Sequence, residues 1–448
     1  MADIIPITSP PDPLQELQQR YCLFKLAGGI WVAELDDIKS VQAGTQRTEV
    51  AMYRKEDGKL LMQRHLETVH APSEPKKVVA NFMVSSNTKV YDAVAFSPLP
   101  VPEGTLNYWT GSPVIPKKGD WSTVKSFLLW VICGGDIGLY RYLVMFLGHM
   151  LLKPHEKPGI MIVLLGGQGT GKGTFFSLLH AIWSRTTLLV SDVSHVIGSF
   201  NAGIERNYVL CMDEALFAGD KKTTERLKSF VTERQVTIEQ KYQPRRNIES
   251  FHRMFSSSNH AHFAQVDADE RRFLFMEVSD AYQGDFAYWE DVHAAIANQD
   301  VISAMVHDLQ SLDLSMFNVR ARPKTNAHTD QKLRSLSGFD RYWFEVLGSG
   351  EFDDQTLLDA TEPWSTPCFI STDKLKGGWK SYEKGQRLFG GRQEREMHAA
   401  MRRLCPSAKL GRHQSKLNGQ KRGYSLPSLT VARAEFAKAI GGEVHWDD

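Results

Sequence analysis

The apolar run Ile160-Met-Ile-Val-Leu-Leu165 passes directly into nine residues, Gly166, Gly167, Gln168, Gly169, Thr170, Gly171, Lys172, Gly173 and Thr174. A helix-like segment, Phe175 to Trp183, follows at once. Strand, glycine loop and helix in that order commit the surrounding chain to an α/β fold with a parallel sheet, and they form a phosphate-binding loop. The glycines let successive backbone N–H groups turn inward around a polyphosphate, and the helix N-terminus favours negative charge. Lys172 reaches the terminal phosphates. The residue after Lys172 is Gly173, so the hydroxyl for a Mg²⁺ ion has to come from Thr174.

With 448 residues, 42% of them hydrophobic and 23% charged, the chain reads as soluble and globular, with room for two or three domains. Its formal net charge is +1, so any contact with nucleic acid has to come from local basic clusters. The five cysteines, Cys22, Cys133, Cys211, Cys368 and Cys405, are scattered and lack metal-ligand spacing. They read as reduced core thiols of a cytosolic protein. The start, Met-Ala-Asp-Ile-Ile-Pro, has no basic stretch ahead of an apolar core, so export is not expected. The most apolar stretch, Phe127 to Leu152, is broken by Gly134-Gly135, Asp136 and Arg141, so two buried helices are expected there and no membrane contact.

Four regions follow from the patterning. Residues 1–118 form a small mixed α+β N-terminal domain and connector, with β-type runs at Tyr21–Leu26 and Ile30–Ala33 across a Gly28-Gly29 turn. Trp109 and Trp121 anchor the Pro/Gly-rich connector. Residues 119–155 are a helical lead-in, 156–335 alternate strands and helices, and 336–448 carry amphipathic helices followed by two strands across Asn418-Gly419.

Within the third region, Tyr208-Val-Leu-Cys-Met-Asp213-Glu214 is an apolar strand ending in two carboxylates, placed where a neighbouring parallel strand falls. Asp213 suits a Mg²⁺ ion, and Glu214 can polarise an attacking water. A second strand, Met254-Phe-Ser-Ser-Ser-Asn259, ends in an amide, and Arg271-Arg272 stand just before a third, Leu274 to Val278. Between these lies Val236 to Ile248, a hairpin with Lys241, Tyr242, Arg245 and Arg246 at its tip, suited to a phosphate backbone and to stacking. Each feature alone has a bland reading: a turn-forming Asn, arginines on a solvated face, a basic surface hairpin.

Together, the order of phosphate loop, Asp-Glu strand, basic hairpin, Asn strand and arginine pair resembles that of the superfamily 3 helicases. The likeness is greatest to the helicase part of the primase-helicases of phages, plasmids and poxviruses, and it covers roughly residues 100 to 335, including Leu106-Asn-Tyr-Trp-Thr-Gly111. It implies an AAA+-like P-loop ATPase core working on ATP with Mg²⁺, as a homo-hexameric ring on single-stranded DNA or a forked duplex. In such a ring Asn259 senses the γ-phosphate and orients water, while Arg271, or failing that Arg272, reaches the neighbouring subunit's site. Lys241-Tyr242 falls where the family carries a Lys-His pair that grips DNA, with Tyr in place of His. The likeness also implies a phage or mobile element as source, bacterial cytoplasm as location, and a separate primase or polymerase. Residues 1–100 hold no acidic set or zinc-binding cysteines for a primase site of their own.

From Arg392 to Arg422 there are nine Arg or Lys against two Glu. Two helices and a basic hairpin there resemble a winged helix, whose wing and second helix commonly meet duplex DNA. Two other functions stay open. The Gly-Lys-Gly-Thr ending is shared with nucleotide kinases of the adenylate kinase type, and a DNA-binding loader or packaging ATPase would need no unwinding.

Overall fold

A computed structural model describes residues 12–26, 28–35, 51–70, 74–214, 221–240, 245–259, 271–352, 364–385, 393–415 and 419–446. The chain divides into two compact units. One is Met1–Leu216 with Glu225–Asn259 and Glu277–Arg322, the other Phe217–Thr224 with His260–Met276 and Pro323–Asp448.

The N-terminal part of the first unit is mixed α+β. Strands β1 (Tyr21–Leu26), β2 (Gly29–Glu34), β3 (Met52–Arg54) and β4 (Val90–Tyr91) make a sheet in the order β3-β2-β1-β4. β1 and β2 form the hairpin expected from the glycines, with Gly28 at φ 78°. Helices Pro13–Arg20, Lys55–Val69 and Pro75–Val84 bury Leu17, Met62, Leu66 and Phe82 against Leu23 and Val32 of this sheet. β5 (Ala93–Ala95) and β6 (Thr105–Asn107) pair in parallel and lead into the connector. Its two tryptophans anchor it as expected. Trp109 sits edge-on between Phe96 and Tyr208, at 5.1 and 4.9 Å, and the Trp121 indole donates to Asp308 at 2.8 Å.

The apolar stretch that follows forms a short helix, Ser122–Ser126, running into a π-helical turn, Phe127–Ile132, and then Ile137–Leu152. Gly134 and Gly135, at φ 57° and 82°, make the break, and Asp136 caps the second helix through Leu139 N–H at 2.9 Å. Among the described residues, no helix is long and apolar enough to cross a membrane.

A five-stranded sheet is made of β7 (Met161–Leu165), β8 (Thr187–Val190), β9 (Val209–Asp213), β12 (Arg253–Ser258) and β13 (Phe273–Glu277), in the order β13-β7-β12-β9-β8. β12 runs parallel to β7 and β9, and β8 to β9. All five residues of β7 and all six of β12 are buried, as strands covered on both faces require. The expected α/β class with a parallel sheet is therefore the observed one. Between β9 and β12 the chain forms the helix Lys221–Thr232 and the hairpin β10 (Gln235–Ile238) and β11 (Arg246–Glu249), paired antiparallel.

The second unit runs helix Gly338–Ser349, strand β14 (Cys368–Ser371), helices Thr372–Gly385 and Gln393–Leu404, strands β15 (Lys409–Ser415) and β16 (Gly419–Leu426), and a last helix, Leu429–Ile440. Its sheet has the order β14-β16-β15, all antiparallel, and Phe339, Trp343, Trp379, Met401 and Phe436 fill its core. Helix, strand, two helices and an antiparallel pair is the winged-helix order.

Candidate active site

The glycine loop turns as its sequence requires. Gly169 and Gly171 take φ 78° and 98°, a conformation that costs other residues about 1–2 kcal/mol. At Gly171 a Cβ would also run into the Trp289 ring. The following helix, Lys172–Ile182, begins three residues before the expected Phe175, because Gly171 serves as its N-cap and its carbonyl accepts from Phe175 N–H at 3.0 Å. Lys172 thus sits in the first turn, only 6% exposed, with Nζ donating to the carbonyls of Gly166 at 2.8 Å and Gly167 at 2.6 Å. Burial lowers its pKa, and the carboxylates of Asp213 and Glu214 pull the other way.

Three strand ends meet beside this loop. Ser258 pairs with Leu165 and Ser257 with Asp213 in register, and Gly166 N–H donates to Ser258 O at 3.2 Å. The Ser257 hydroxyl donates to the Asp213 carboxylate. Glu214 stands just past β9 at φ 51°, an unusual conformation for a side-chain-bearing residue. Two contacts hold it there: its N–H donates to Ser257 O at 3.2 Å, and its carboxylate accepts from the Asn259 amide. Lys172, Asp213, Glu214 and Asn259 are thus gathered at the carboxyl ends of neighbouring strands, where ligands of α/β sheets bind. A buried ammonium, a left-handed glycine loop at a helix N-terminus and two hard carboxylates suit a nucleotide polyphosphate with Mg²⁺.

Thr174 points elsewhere in part: its hydroxyl lies 3.1 Å from His293 Nε2 on the helix Phe286–Ala297. That helix and its lead-in cover the loop at two further points. Gln283 Nε2 donates to Gln168 O at 2.8 Å, and Trp289, whose indole donates to Tyr282 O at 2.9 Å, fills the space over Gly171. Sequence reasoning missed this cover. The one signal was Gly171 itself, which leaves room for a large ring.

At the hairpin, Arg245 is exposed and pairs with Glu239 at 3.0 Å. Arg246 is turned inward onto the Glu205 carboxylate, with Nε 3.1 Å from Oε1, so it braces the hairpin. Lys241 and Tyr242 lie outside the described residues. A neighbouring loop was not anticipated. Asn201 donates its amide to Thr237 O at 3.1 Å and accepts from Glu239 N–H at 2.9 Å, tying to the hairpin a loop in which Phe200 is 52% exposed at φ 65°. Arg271 and Arg272 precede β13 and belong to the second compact unit.

β12 joins hairpin to site, and its hairpin end is anchored by a buried cation. Arg253 is fully buried, and its guanidinium donates to the carbonyls of Phe251, Lys153, Pro154 and Glu156 at 2.7–3.2 Å while stacking over Tyr208. Lys157 Nζ donates to Phe230 O, Glu233 O and Ser250 Oγ at 2.8, 2.6 and 2.5 Å, and burial lowers its pKa to about 7. His252 stacks on Phe230, and burial, with Lys157 adding to it, holds its pKa down to about 3.

The model of a family of unknown function (DUF5906) matches residues 164–272, the stretch from the end of β7 to the arginine pair. No curated protein matches the chain. Among solved structures, the apo A form of the NrS-1 C-terminal region aligns over 93% of this chain and 100% of its own, at 15% identity and a TM-score of 0.66. Another apo structure of that region aligns over 94% and 100%, at 16% identity and 0.64. These likenesses establish a shared fold. A JCV helicase structure also aligns, over 51% of this chain and 64% of its own, at 15% identity and a TM-score of 0.26.

Proposed function

We propose that the protein is an ATP-driven DNA translocase and helicase of the superfamily 3 type, working as a ring on single-stranded DNA. The observation that carries this reading is the joining of Lys172, Asp213, Glu214 and Asn259 at three strand ends, with β12 running from that junction to the basic hairpin. Lys172 neutralises charge on the terminal phosphates of ATP. The Glu214 carboxylate, oriented by Asn259, accepts the proton of the attacking water as the bond to the γ-phosphoryl group breaks, leaving ADP and phosphate. Asp213 and Thr174 are the residues that would hold Mg²⁺, which when bound supplies charge neutralisation across the phosphates.

Loss of the γ-phosphate changes what Asn259 and Glu214 hold at one end of β12, and the hairpin sits at the other. Lys241, Tyr242 and Arg245, together with Phe200 of the tied loop, are the residues proposed to track a strand by charge and stacking. Arg271, or failing that Arg272, is the residue proposed to complete a neighbouring subunit's site.

Strand displacement on a forked duplex tests the reading. ATP-dependent release of the labelled strand, lost in Lys172→Ala, is expected. A loader or packaging ATPase would hydrolyse ATP on DNA without displacement, and a nucleotide kinase would pass phosphate to a nucleoside monophosphate and ignore DNA.

A further inference from the structure

The hairpin of β10 and β11 is closed along one edge and open along the other. Ser250 N–H donates to Arg234 O at 2.8 Å, and in that register Arg246 and Ile248 also turn their backbone groups toward β10. Asn247 and Glu249 therefore turn theirs outward. The corresponding outward groups of β10, Thr237 O and Glu239 N–H, are taken up by the Asn201 side chain at 3.1 and 2.9 Å. Among the described residues, nothing meets the N–H or C=O of Asn247 or Glu249. A strand edge in that condition is a template for another strand.

A groove runs along this edge. Asn247, Ile248 and Glu249 line a cavity of 430 Å³ with Phe96, Val101 and Arg206. Glu249, Ser250 and Phe251 line one of 710 Å³ with Phe317, Arg234 and Arg320, and the two cavities share Leu99 and Glu249. The connector on the far side reads Ser97-Pro-Leu-Pro-Val-Pro102, so every second residue lacks an N–H, and Leu99 N–H donates to Ser97 Oγ at 3.1 Å. It lines the groove without pairing to β11. The groove is also positive. Arg234 and Arg320 are exposed, Arg206 is half-buried over the Tyr108 ring at 4.8 Å, and among the described residues no carboxylate pairs with any of the three. Of the carboxylates lining it, Glu205 is held by Arg246 and Glu156 lies 3.5 Å from Lys153, which leaves Glu249 unmatched.

We propose that this groove takes an extended segment of a partner protein, acidic and apolar in composition, which adds as a strand to the outer edge of β11. Its backbone pairs with the N–H and C=O groups of Asn247 and Glu249, its apolar residues lie against Leu99, Val101 and Phe317, and its carboxylates meet Arg206, Arg234 and Arg320. A polypeptide matches the edge because it carries donors and acceptors at the same repeat, which a nucleic-acid backbone does not. The proposed ATPase function is not needed for this binding.

The experiment is fluorescence anisotropy of the full chain with a labelled peptide that alternates valine with aspartate over about eight residues, within the usual length of a strand. Saturable binding is expected, with none of a peptide that has lysine in place of aspartate. N-methylation of every second residue should abolish binding in one of its two phases and spare it in the other, because only alternate N–H groups face β11. Arg234→Glu with Arg320→Glu should weaken binding at least about tenfold. Glu249→Gln removes a repelling charge and should hold or tighten binding, whereas Glu249→Pro removes an outward N–H that the hairpin itself does not use and should weaken it at least about tenfold. Absence of saturable binding to the wild type, equal binding of the lysine peptide, or undiminished binding of both methylated peptides would each overturn the proposal. So would an equal loss of single-stranded DNA affinity in the double arginine variant, which would give the groove to nucleic acid, or a smaller oligomer of that variant in sedimentation, which would give it to a second copy of the chain.

Discussion

At the residue scale, two glycines of one loop make opposite predictions. Gly171→Ala places a Cβ against Trp289 at φ 98°, and it should lower the melting temperature and abolish ATP turnover. A Cβ at Gly173 meets nothing, and alanine there gains helix propensity. Gly173→Ala should therefore hold or raise the melting temperature, with a gain of up to about 1 kcal/mol. Thermal denaturation of the pair checks both. His252 makes a pH prediction. Its folded pKa near 3 lies below the usual 6.5, so between those values the unfolded chain takes up a proton that the folded chain refuses. Stability therefore falls as pH drops through that window, by up to about 1.4 kcal/mol per pH unit. His252→Gln should flatten the fall of melting temperature with pH; an unchanged slope would contradict the assignment. His149, held down to about 4 by burial, contributes in the same direction and leaves a residual slope.

At the element scale, β12 is the link between candidate site and hairpin, and Arg253 fastens one end of it. Removing that guanidinium leaves several buried carbonyls without a donor, each worth about 1–3 kcal/mol. Arg253→Ala should lower stability by at least about 3 kcal/mol, read by denaturant titration. The strands themselves were legible because burial on both faces demands continuous apolar runs, as in Ile162-Val-Leu-Leu165 and Val209-Leu-Cys-Met212. The hairpin was legible from its alternation. What the sequence concealed was whatever depended on distant partners. That Arg246 would turn onto Glu205, that Asn201 would fasten Phe200 beside the hairpin, and that Thr174 would meet His293 are contacts between residues 36 to 119 positions apart. No local pattern encodes such contacts.

At the scale of the whole molecule, the proposed function requires neighbouring copies to complete each other's sites. Arg271→Ala subunits mixed with wild type should depress ATP turnover more steeply than their fraction, whereas turnover proportional to wild-type content would argue against a finger acting in trans. The glycine loop, the paired carboxylates and the Asn strand could be found in the sequence because each is a short motif at a strand end. Their union into one hydrogen-bonded site follows from the strand order, which places β12 between β7 and β9. The central claim is that this site drives movement on a nucleic-acid strand, and the most direct test is steady-state ATP hydrolysis with and without single-stranded DNA, in wild type and in Lys241→Ala. The account predicts severalfold stimulation of the wild type, and basal hydrolysis without stimulation in the variant. Equal stimulation of both proteins, or none in the wild type, would contradict it.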